Sequence, residues 1–229
     1  MRFFIVFAFL IFMYSPQAFA QCTGPAGITG EVQFNTSHDV FQGCTSRGWM
    51  AFHPPAPDPC AGSPSPGDVC SDGSVYAGLS PDGNVPMYTT PADAGQFSWN
   101  DGTSNWVDTA MVNCTSAEAS CNTGEANTSL LVGLGTSPSP APYVAARHCD
   151  NLTAHGHSDW YLPARYELAV LRTNRTAIGG FNLTGSHPAG WYWSSSERLN
   201  FYSWSQRFGD GFLANNNKNY GLSVRCVRR

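Results

Sequence analysis

Eight cysteines limit the folds open to this chain of 229 residues more than any other feature. All eight follow residue 20, and an even number of cysteines in an exported protein predicts disulfide bonds. No Cys-x-x-Cys or Cys-x-x-His pair occurs, so the spacing does not favour a zinc site. Closeness along the chain favours three local pairs, although it does not establish the connectivity. The local pairs are Cys22–Cys44, Cys60–Cys70 and Cys114–Cys121, which leaves Cys149 and Cys226.

Export itself is predicted by residues 1–20, which have the three parts of a secretory signal peptide. Arg2 supplies the positive start, an apolar run follows, and Ala18-Phe19-Ala20 predicts cleavage before Gln21. A transmembrane anchor is disfavoured, because the apolar run is too short for a hydrocarbon core of about 30 Å and Pro16 breaks it. We therefore predict a periplasmic, cell-surface or extracellular protein with no transmembrane segment.

Charged residues are sparse in this sequence. The chain has 12 Lys and Arg residues against 16 Asp and Glu residues, which gives a formal net charge of −4. No cluster of basic residues of the kind that binds nucleic acid is present, so we predict no nucleic-acid partner. The abundance of glycine, proline and aromatic residues favours a loop-rich domain with an aromatic core.

Composition divides the exported part of the chain into three regions. Residues 21–53 are predicted to form a small β module with short strands at 33–35 and 40–42. Residues 54–68 contain six prolines and are predicted to form an extended linker. Residues 69–229 are predicted to form the main domain.

Hydrophobic periodicity predicts both strands and helices in the main domain. The predicted strands are 75–78, 85–89, 191–194, 203–208 and 222–227. One helix is predicted over residues 144–152, and a second one starts after Leu162, with Pro163 and Glu167 in favourable early positions. Residues 113–142 are small and polar, and we predict a long loop that carries the Cys114–Cys121 bond.

Three motifs stand in a fixed order in the last part of the chain. They are Asp159-Trp160-Tyr161-Leu162-Pro163, Tyr192-Trp193-Ser194-Ser195-Ser196-Glu197 and Val224-Arg225-Cys226-Val227-Arg228. In order and spacing they resemble the Lcl C-terminal domain family. The resemblance implies an α+β fold, similar to C-type-lectin-like domains and formylglycine-generating enzymes, with two helices on a twisted antiparallel sheet. It also implies a disulfide bond between Cys149 and Cys226.

Residues 198–223 differ in character from the rest of the chain. They are rich in asparagine and aromatic residues and are interrupted by the five residues Trp204, Gln206, Phe208, Gly211 and Lys218. They look like the variable region of proteins diversified by retroelements, in which adenines of asparagine codons are replaced. Every other residue of this segment is of a type that such replacement can produce. An asparagine-rich loop that only caps the sheet is the structural alternative.

Exposed aromatic groups with adaptable polar neighbours are typical of binding surfaces. We therefore predict that this segment contacts a protein or glycan ligand. The predicted contact residues are Arg198, Leu199, Asn200, Phe201, Tyr202, Ser203, Ser205, Arg207, Phe212, Leu213, Asn215, Asn217 and Tyr220.

The leading functional interpretation is an exported binding protein with no catalytic residues, no metal and no cofactor. Trp99-Asn100-Asp101 repeats a calcium-site tripeptide of C-type lectins but precedes both predicted helices, and His155 with His157 lacks a third metal ligand. One alternative is an enzyme or accessory domain of the formylglycine-generating kind, which the resemblance suggests. Another is a structural fibre or envelope protein that assembles through residues 21–53.

Overall fold

The structure is a computed structural model, and it describes residues 21–23, 25–28, 30–37, 40–45, 48–52, 58, 60–100, 112–116, 118–134, 143–184, 187–199 and 201–229. The predicted signal peptide lies outside these residues. The chain divides into two compact units, residues 1–57 and 58–229. None of the helices in the described ranges has the length and apolarity that crossing a bilayer requires.

In the described residues, the first unit contains strands only, whereas the second unit contains both helices and strands. The strands are β1 (Gln21–Cys22), β2 (Gly27–Ile28), β3 (Val32–Asn35), β4 (Val40–Thr45), β5 (Gly48–Ala51), β6 (Val75–Leu79), β7 (Pro86–Thr89), β8 (Gly95–Phe97), β9 (Trp191–Leu199), β10 (Tyr202–Arg207), β11 (Leu213–Asn217), β12 (Leu222–Val224) and β13 (Val227–Arg228). The helices are α1 (Gly124–Gly133), α2 (Val144–Asp150), α3 (Arg165–Thr173) and α4 (Arg175–Ile178). The predicted α+β class is confirmed.

The first unit is a small β module, in which both predicted strands are present as β3 and β4. A third strand that the sequence analysis missed, β5, completes an antiparallel sheet in the order β3-β4-β5. The β1–β2 hairpin is joined to β4 by the Cys22–Cys44 disulfide. The indole of Trp49 packs so closely on Gly27 that any side chain there would overlap it.

The boundary between the units lies earlier than the predicted linker end at residue 68. The Cys60–Cys70 disulfide closes a short loop in the second unit. The amide of Gly67 donates a hydrogen bond to the Tyr76 carbonyl of β6 (2.9 Å). Residues 58 and 60–68 are thus part of the second unit, because a disulfide and backbone hydrogen bonds fix a proline-rich segment that composition alone suggests is extended.

The described residues of the second unit form two sheets rather than the single antiparallel sheet that the resemblance implies. The larger sheet has the order β11-β10-β9-β12-β8, and the smaller has the order β13-β7-β6. All neighbouring strands are antiparallel except β9 and β12, which are parallel. Strand β9 is central, and its consecutive residues Tyr192 and Trp193 point into two separate hydrophobic clusters.

Residues 113–142 are not the predicted loop throughout, since they contain helix α1. The Cys114–Cys121 bond within this region is confirmed. Helix α1 has no clear apolar stripe, because part of its buried side is polar. Asn127 donates hydrogen bonds to the Ser120 carbonyl and to Ser195, and Thr128 bonds the backbone of Leu162. Periodicity of apolar residues cannot reveal a helix that is buried in this way. Residues 135–142 lie outside the described ranges.

Helices α2 and α3 confirm the two predicted helices, with α3 beginning at Arg165 rather than in the turn after Leu162. The buried carboxylate of Glu167 accepts hydrogen bonds from the first amides of two helices, at Ala164 (2.8 Å) and Gly124 (3.0 Å). Burial raises the pKa of Glu167, while the Ala164 amide and the Arg229 guanidinium oppose that rise. One carboxylate therefore fixes the starts of α1 and α3 against each other.

The two distant cysteines are joined, as the resemblance implies. Cys149 on α2 and Cys226 after β12 form a disulfide, with a sequence separation of 77 residues. All eight cysteines are paired, and no cysteine is free. Four disulfides are consistent with an exported protein.

Candidate functional site

The predicted contact segment is mostly regular structure and not a loop. Residues 198–223 form the end of β9, the strands β10 and β11, and a connection that returns across the sheet to β12. Strand β11 was not predicted, because its Leu-Ala-Asn-Asn-Asn sequence lacks the β-branched and aromatic residues that favour strands. It lies at the edge of the five-stranded sheet, so only one side of its backbone is paired.

Three of the five interrupting residues have clear structural roles. Phe208 is fully buried among the rings of Phe181 and Tyr192. Lys218 is 1% exposed and forms an ion pair with Glu197. Gly211 has a φ of +84°, and a Cβ at this position would lie 2.5 Å from the guanidinium carbon of Arg172.

The other two interrupting residues are held by hydrogen bonds. Trp204 donates its indole N–H to the Cys114 carbonyl, and the Arg165 guanidinium lies 4.1 Å from the ring centroid. The side-chain amide of Gln206 donates to the Gly211 carbonyl at 3.2 Å. All five interrupting residues therefore belong to the scaffold.

The predicted contact residues fall into three groups by exposure. Asn200 lies outside the described ranges. The exposed group is Leu199, Phe201, Tyr202, Phe212, Asn215 and Tyr220. The half-buried group is Arg198, Arg207, Leu213 and Asn217. The buried group is Ser203 and Ser205.

Ser203 and Ser205 cannot contact a ligand in this structure, which corrects their place in the predicted set. Side chains alternate between the two faces of a strand, and these serines lie on the inner face of β10. Ser205 is fixed there by its neighbours on β11, since its hydroxyl accepts a hydrogen bond from the Asn216 amide (2.7 Å) and donates one to the Ala214 carbonyl (3.3 Å). A sequence without a known register does not reveal which alternate residues face inward.

Phe212 and Tyr220 belong to one aromatic cluster with His187 and Trp191. Ring centroids are 6.1 Å apart for Trp191 and Phe212, 6.2 Å for His187 and Trp191, and 5.0 Å for His187 and Tyr220. Phe212 is 58% exposed and Tyr220 is 44% exposed, whereas Trp191 is mostly covered. We call these four residues the aromatic surface cluster. His187 was not predicted, because it lies outside the unusual segment and joins it only in the fold.

An open groove lies beside this cluster. It has a volume of about 600 Å³ and is lined by His187, Pro188, Asn216, Asn219, Tyr220 and Gly221. Two asparagine amides on its wall can each donate and accept hydrogen bonds, next to two aromatic rings. The groove therefore combines polar and aromatic contacts over a small area.

Arg207 places a positive charge at the edge of the aromatic surface cluster. Its guanidinium carbon lies 5.5 Å from the ring centroids of both Trp191 and Phe212. Asp210 holds it in an ion pair, and the hydrogen bond from Arg207 lowers the pKa of the Asp210 carboxyl. Both side chains remain accessible to solvent, so the pair can be rearranged by a ligand at little cost.

Leu199, Phe201 and Tyr202 lie at the other end of the same strands. Tyr202 is opposite Leu199 and Asn217, whereas Arg207 is opposite Trp191. Tyr202 and Arg207 are five positions apart along β10, which is about 17 Å at 3.3–3.4 Å per residue. The single contact surface that we predicted is thus two exposed groups of residues.

The match to a family model extends over most of the second unit. The model of the Lcl C-terminal domain family matches residues 93–228, more than half of the chain. The chain belongs to the Lcl C-terminal domain family. Its Lcl C-terminal domain starts at residue 93, well before the first of the three sequence motifs at Asp159, and it includes the aromatic surface cluster and the groove. Strands β6 and β7 precede it.

A solved structure with a similar arrangement is a fimbrial protein from Bacteroides ovatus, with a TM-score of 0.44 and 13% sequence identity. The superposition covers 91% of this chain and 47% of the fimbrial protein, so this chain spans about half the length of that protein. No curated protein sequence matches the chain.

His155 and His157 of the Lcl C-terminal domain both bind Asp72. His155 Nδ1 lies 3.0 Å from the Asp72 carbonyl oxygen, and His157 Nε2 lies 3.0 Å from its carboxylate. Arg228 contacts the same carboxylate at 2.8 Å. The two histidines thus connect a surface turn to the chain that precedes the domain.

Metal-ligand groups in the described part of the chain are limited to two, and each contains a disulfide pair. They are Asp58 with Cys60–Cys70, and Glu118 with Cys114–Cys121. A disulfide sulfur lacks the thiolate that binds metal ions. Of the calcium-like tripeptide, Trp99 and Asn100 are buried, and Asp101 lies outside the described ranges.

Proposed function

We propose that this is an exported ligand-binding protein, whose Lcl C-terminal domain binds a protein or glycan through the aromatic surface cluster and the adjoining groove. The observation that carries the proposal is the exposure of Phe212 and Tyr220 next to that groove. Large exposed aromatic groups gathered on one surface of a monomer are typical of interaction sites. Tyrosine and asparagine together supply rigid contact area and adaptable hydrogen bonds.

Residues 198–223 contain both scaffold residues and exposed residues, and this arrangement supports the same function. The five interrupting residues hold the scaffold, while most of the other described residues of the segment are exposed or half-buried. Exposed positions can therefore change without loss of the core, as a surface that adapts to different ligands requires. Ser203, Ser205, Leu222 and Ser223 are exceptions, since all four are buried.

We expect no bond making or breaking at this surface. A formylglycine-generating mechanism depends on active-site thiols, and every cysteine of this chain is in a disulfide. The residues around the groove bring together aromatic rings, amides and one histidine. That set suits binding rather than nucleophilic or metal-assisted catalysis.

Binding is tested with the mature chain and two matched variants, on a glycan array and a panel of extracellular proteins. The double variant Phe212→Ser/Tyr220→Ser is expected to weaken binding to any probe that the wild type recognises by about 30-fold or more, because truncated aromatic anchors dominate interface energies. Phe201→Ser is the control, since it removes an equally exposed ring from the other end of the strands. Loss of binding in Phe201→Ser alone would move the site to that end, and unchanged binding in both variants would refute the proposal.

Diversification of the surface by a retroelement is a further part of the proposal. Replacement of adenines in asparagine codons cannot produce Trp, Gln or Lys, and those residues in the segment, Trp204, Gln206 and Lys218, have scaffold roles. We expect the source genome to carry a nearby template copy of this segment with asparagine codons, together with a reverse-transcriptase gene. Sequencing the region decides the matter, and a genome without both would remove diversification but not ligand binding.

A further inference from the structure

The first unit has a sheet face on which every large side chain is apolar and exposed. Cross-strand pairing places Val32, Phe34, Phe41 and Met50 on one side of the β3-β4-β5 sheet. The ring of Phe52 lies over Gly43 on that same side, 2.9 Å from where a Cβ would stand. These residues, which we call the apolar face, are 46–58% exposed. Phe34 and Phe41 also pack edge to face, with ring centroids 5.0 Å apart.

The opposite side of this sheet is partly covered by the β1–β2 hairpin. Cys44 and Trp49 lie on that side, where the β1–β2 hairpin packs through the Cys22–Cys44 disulfide and through Gly27. Cys22 and Cys44 are 1% and 3% exposed. The hairpin therefore packs on one face of the sheet, while the apolar face is left exposed. An apolar sheet face normally packs against another layer.

The size of the unit makes this exposure costly. After the predicted cleavage, residues 21–57 remain of this unit. Units below about 40 residues usually need disulfides, metals or oligomerisation to be stable, and this one has a single disulfide. A half-exposed large side chain presents on the order of 100 Å², so the apolar face presents roughly 500 Å². Two such faces in contact would remove about 1,000 Å² from water, which is the lower limit of a specific interface.

The scarcity of charged residues in this unit indicates which partner the apolar face binds. The sequence of residues 21–57 has only Glu31, Asp39 and Arg47 as Asp, Glu, Lys or Arg residues, and the apolar face consists of uncharged Val, Phe and Met side chains. Segments that bind membrane surfaces carry clusters of Lys and Arg, which this unit lacks. An uncharged face meets an identical face without repulsion, and a two-fold axis makes such a contact self-complementary.

We propose that the apolar face is the contact surface for a second copy of this chain, and that two modules pack face to face as a two-layer sandwich. Stacked sheets lie about 10 Å apart with interdigitating side chains. Phe41, on the central strand β4, stands in the middle of the contact. This dimer forms independently of any ligand at the Lcl C-terminal domain, and it would give each particle two copies of that domain.

The test is the molar mass of the mature chain in solution, measured by sedimentation equilibrium from low micromolar to submillimolar concentration. We expect a concentration-dependent dimer, and we expect Phe41→Ser to raise its dissociation constant by about 30-fold or more. Ile28→Ser is the matched control, because Ile28 is 61% exposed in the same module but lies on the hairpin that covers the other face. It should leave the dissociation constant within about twofold of wild type.

Peptide mass mapping of the Cys22–Cys44 bond reports whether each variant has a folded module. If Phe41→Ser fails to form that bond, Met50→Gln tests the same face with a side chain of similar length at the edge strand β5. A wild-type chain that stays monomeric at the highest concentration overturns the proposal, whether or not it binds lipid vesicles. A dimer that survives folded Phe41→Ser and Met50→Gln also overturns it.

Discussion

Replacing Lys218 by methionine is expected to lower the free energy of unfolding of the second unit by about 3–5 kcal/mol. Lys218 is 1% exposed, Glu197 is fully buried, and the two form an ion pair. Burial lowers the pKa of Lys218, while the charge of Glu197 opposes that change. Methionine fills similar space but leaves the Glu197 carboxylate in the core without the lysine charge. Urea denaturation followed by tryptophan fluorescence measures the loss.

The matched control is Arg207→Met, which removes a cation from an ion pair at the surface of the same sheet. Its expected cost is below about 1 kcal/mol, because water solvates Asp210 once the arginine is gone. Changing Glu197 to leucine together with Lys218→Met should recover part of the loss, since the carboxylate that lost its lysine is then removed as well. Similar small losses for Lys218→Met and Arg207→Met would show that the buried pair contributes no more than a surface pair.

Removing the Cys149–Cys226 bond with two serines is expected to cost about 4 kcal/mol in the free energy of unfolding. The bond closes a loop with a separation of 77 residues, and its main effect in the chain-entropy model is to restrict the unfolded chain. Because the bond joins α2 to the chain after β12, the loss should appear in the whole second unit. Thermal and urea denaturation under non-reducing conditions measure it.

Replacing Cys114 and Cys121 by serines is the control, because it removes an equally buried disulfide that closes a much shorter loop. These two cysteines are as fully buried as Cys149 and Cys226, but their separation is only 7 residues. The expected cost is therefore smaller, about 2 kcal/mol, because a short loop loses little entropy when it is closed. If the two double variants lost equal stability, loop length would not explain the effect of the long-range bond.

Local features of the fold could be predicted because their causes are local. The hairpin of β6 and β7 follows from strand-forming residues on both sides of Ser80-Pro81-Asp82-Gly83, and the three short-range disulfides follow from closeness along the chain. Helix α3 has an apolar stripe with Leu168 and Leu171, so its period is visible in the sequence. Each of these predictions depends on residues within about one turn or hairpin of one another.

Features that depend on contacts between distant residues were missed or only partly predicted. Helix α1 is buried through hydrogen bonds of Asn127 and Thr128, so its sequence lacks an apolar stripe. The burial of Ser203 and Ser205 depends on the register of β10 with β9 and β11. His187 lies 33 residues before Tyr220 in the sequence, and the two rings come into contact only because the chain folds back.

By itself, the sequence determined the export prediction through residues 1–20 and the disulfide prediction through the cysteines. It also determined the family through the three motifs and the region of interest through the unusual composition of residues 198–223. The tertiary structure alone decided that this region presents two separate groups of exposed residues, and that one of them contains Trp191 and His187. It alone showed that the alternating residues of β3, β4 and β5 leave an apolar face exposed. The physical reason is that alternation along a strand defines two faces, while only packing and pairing between distant strands decide which face is covered.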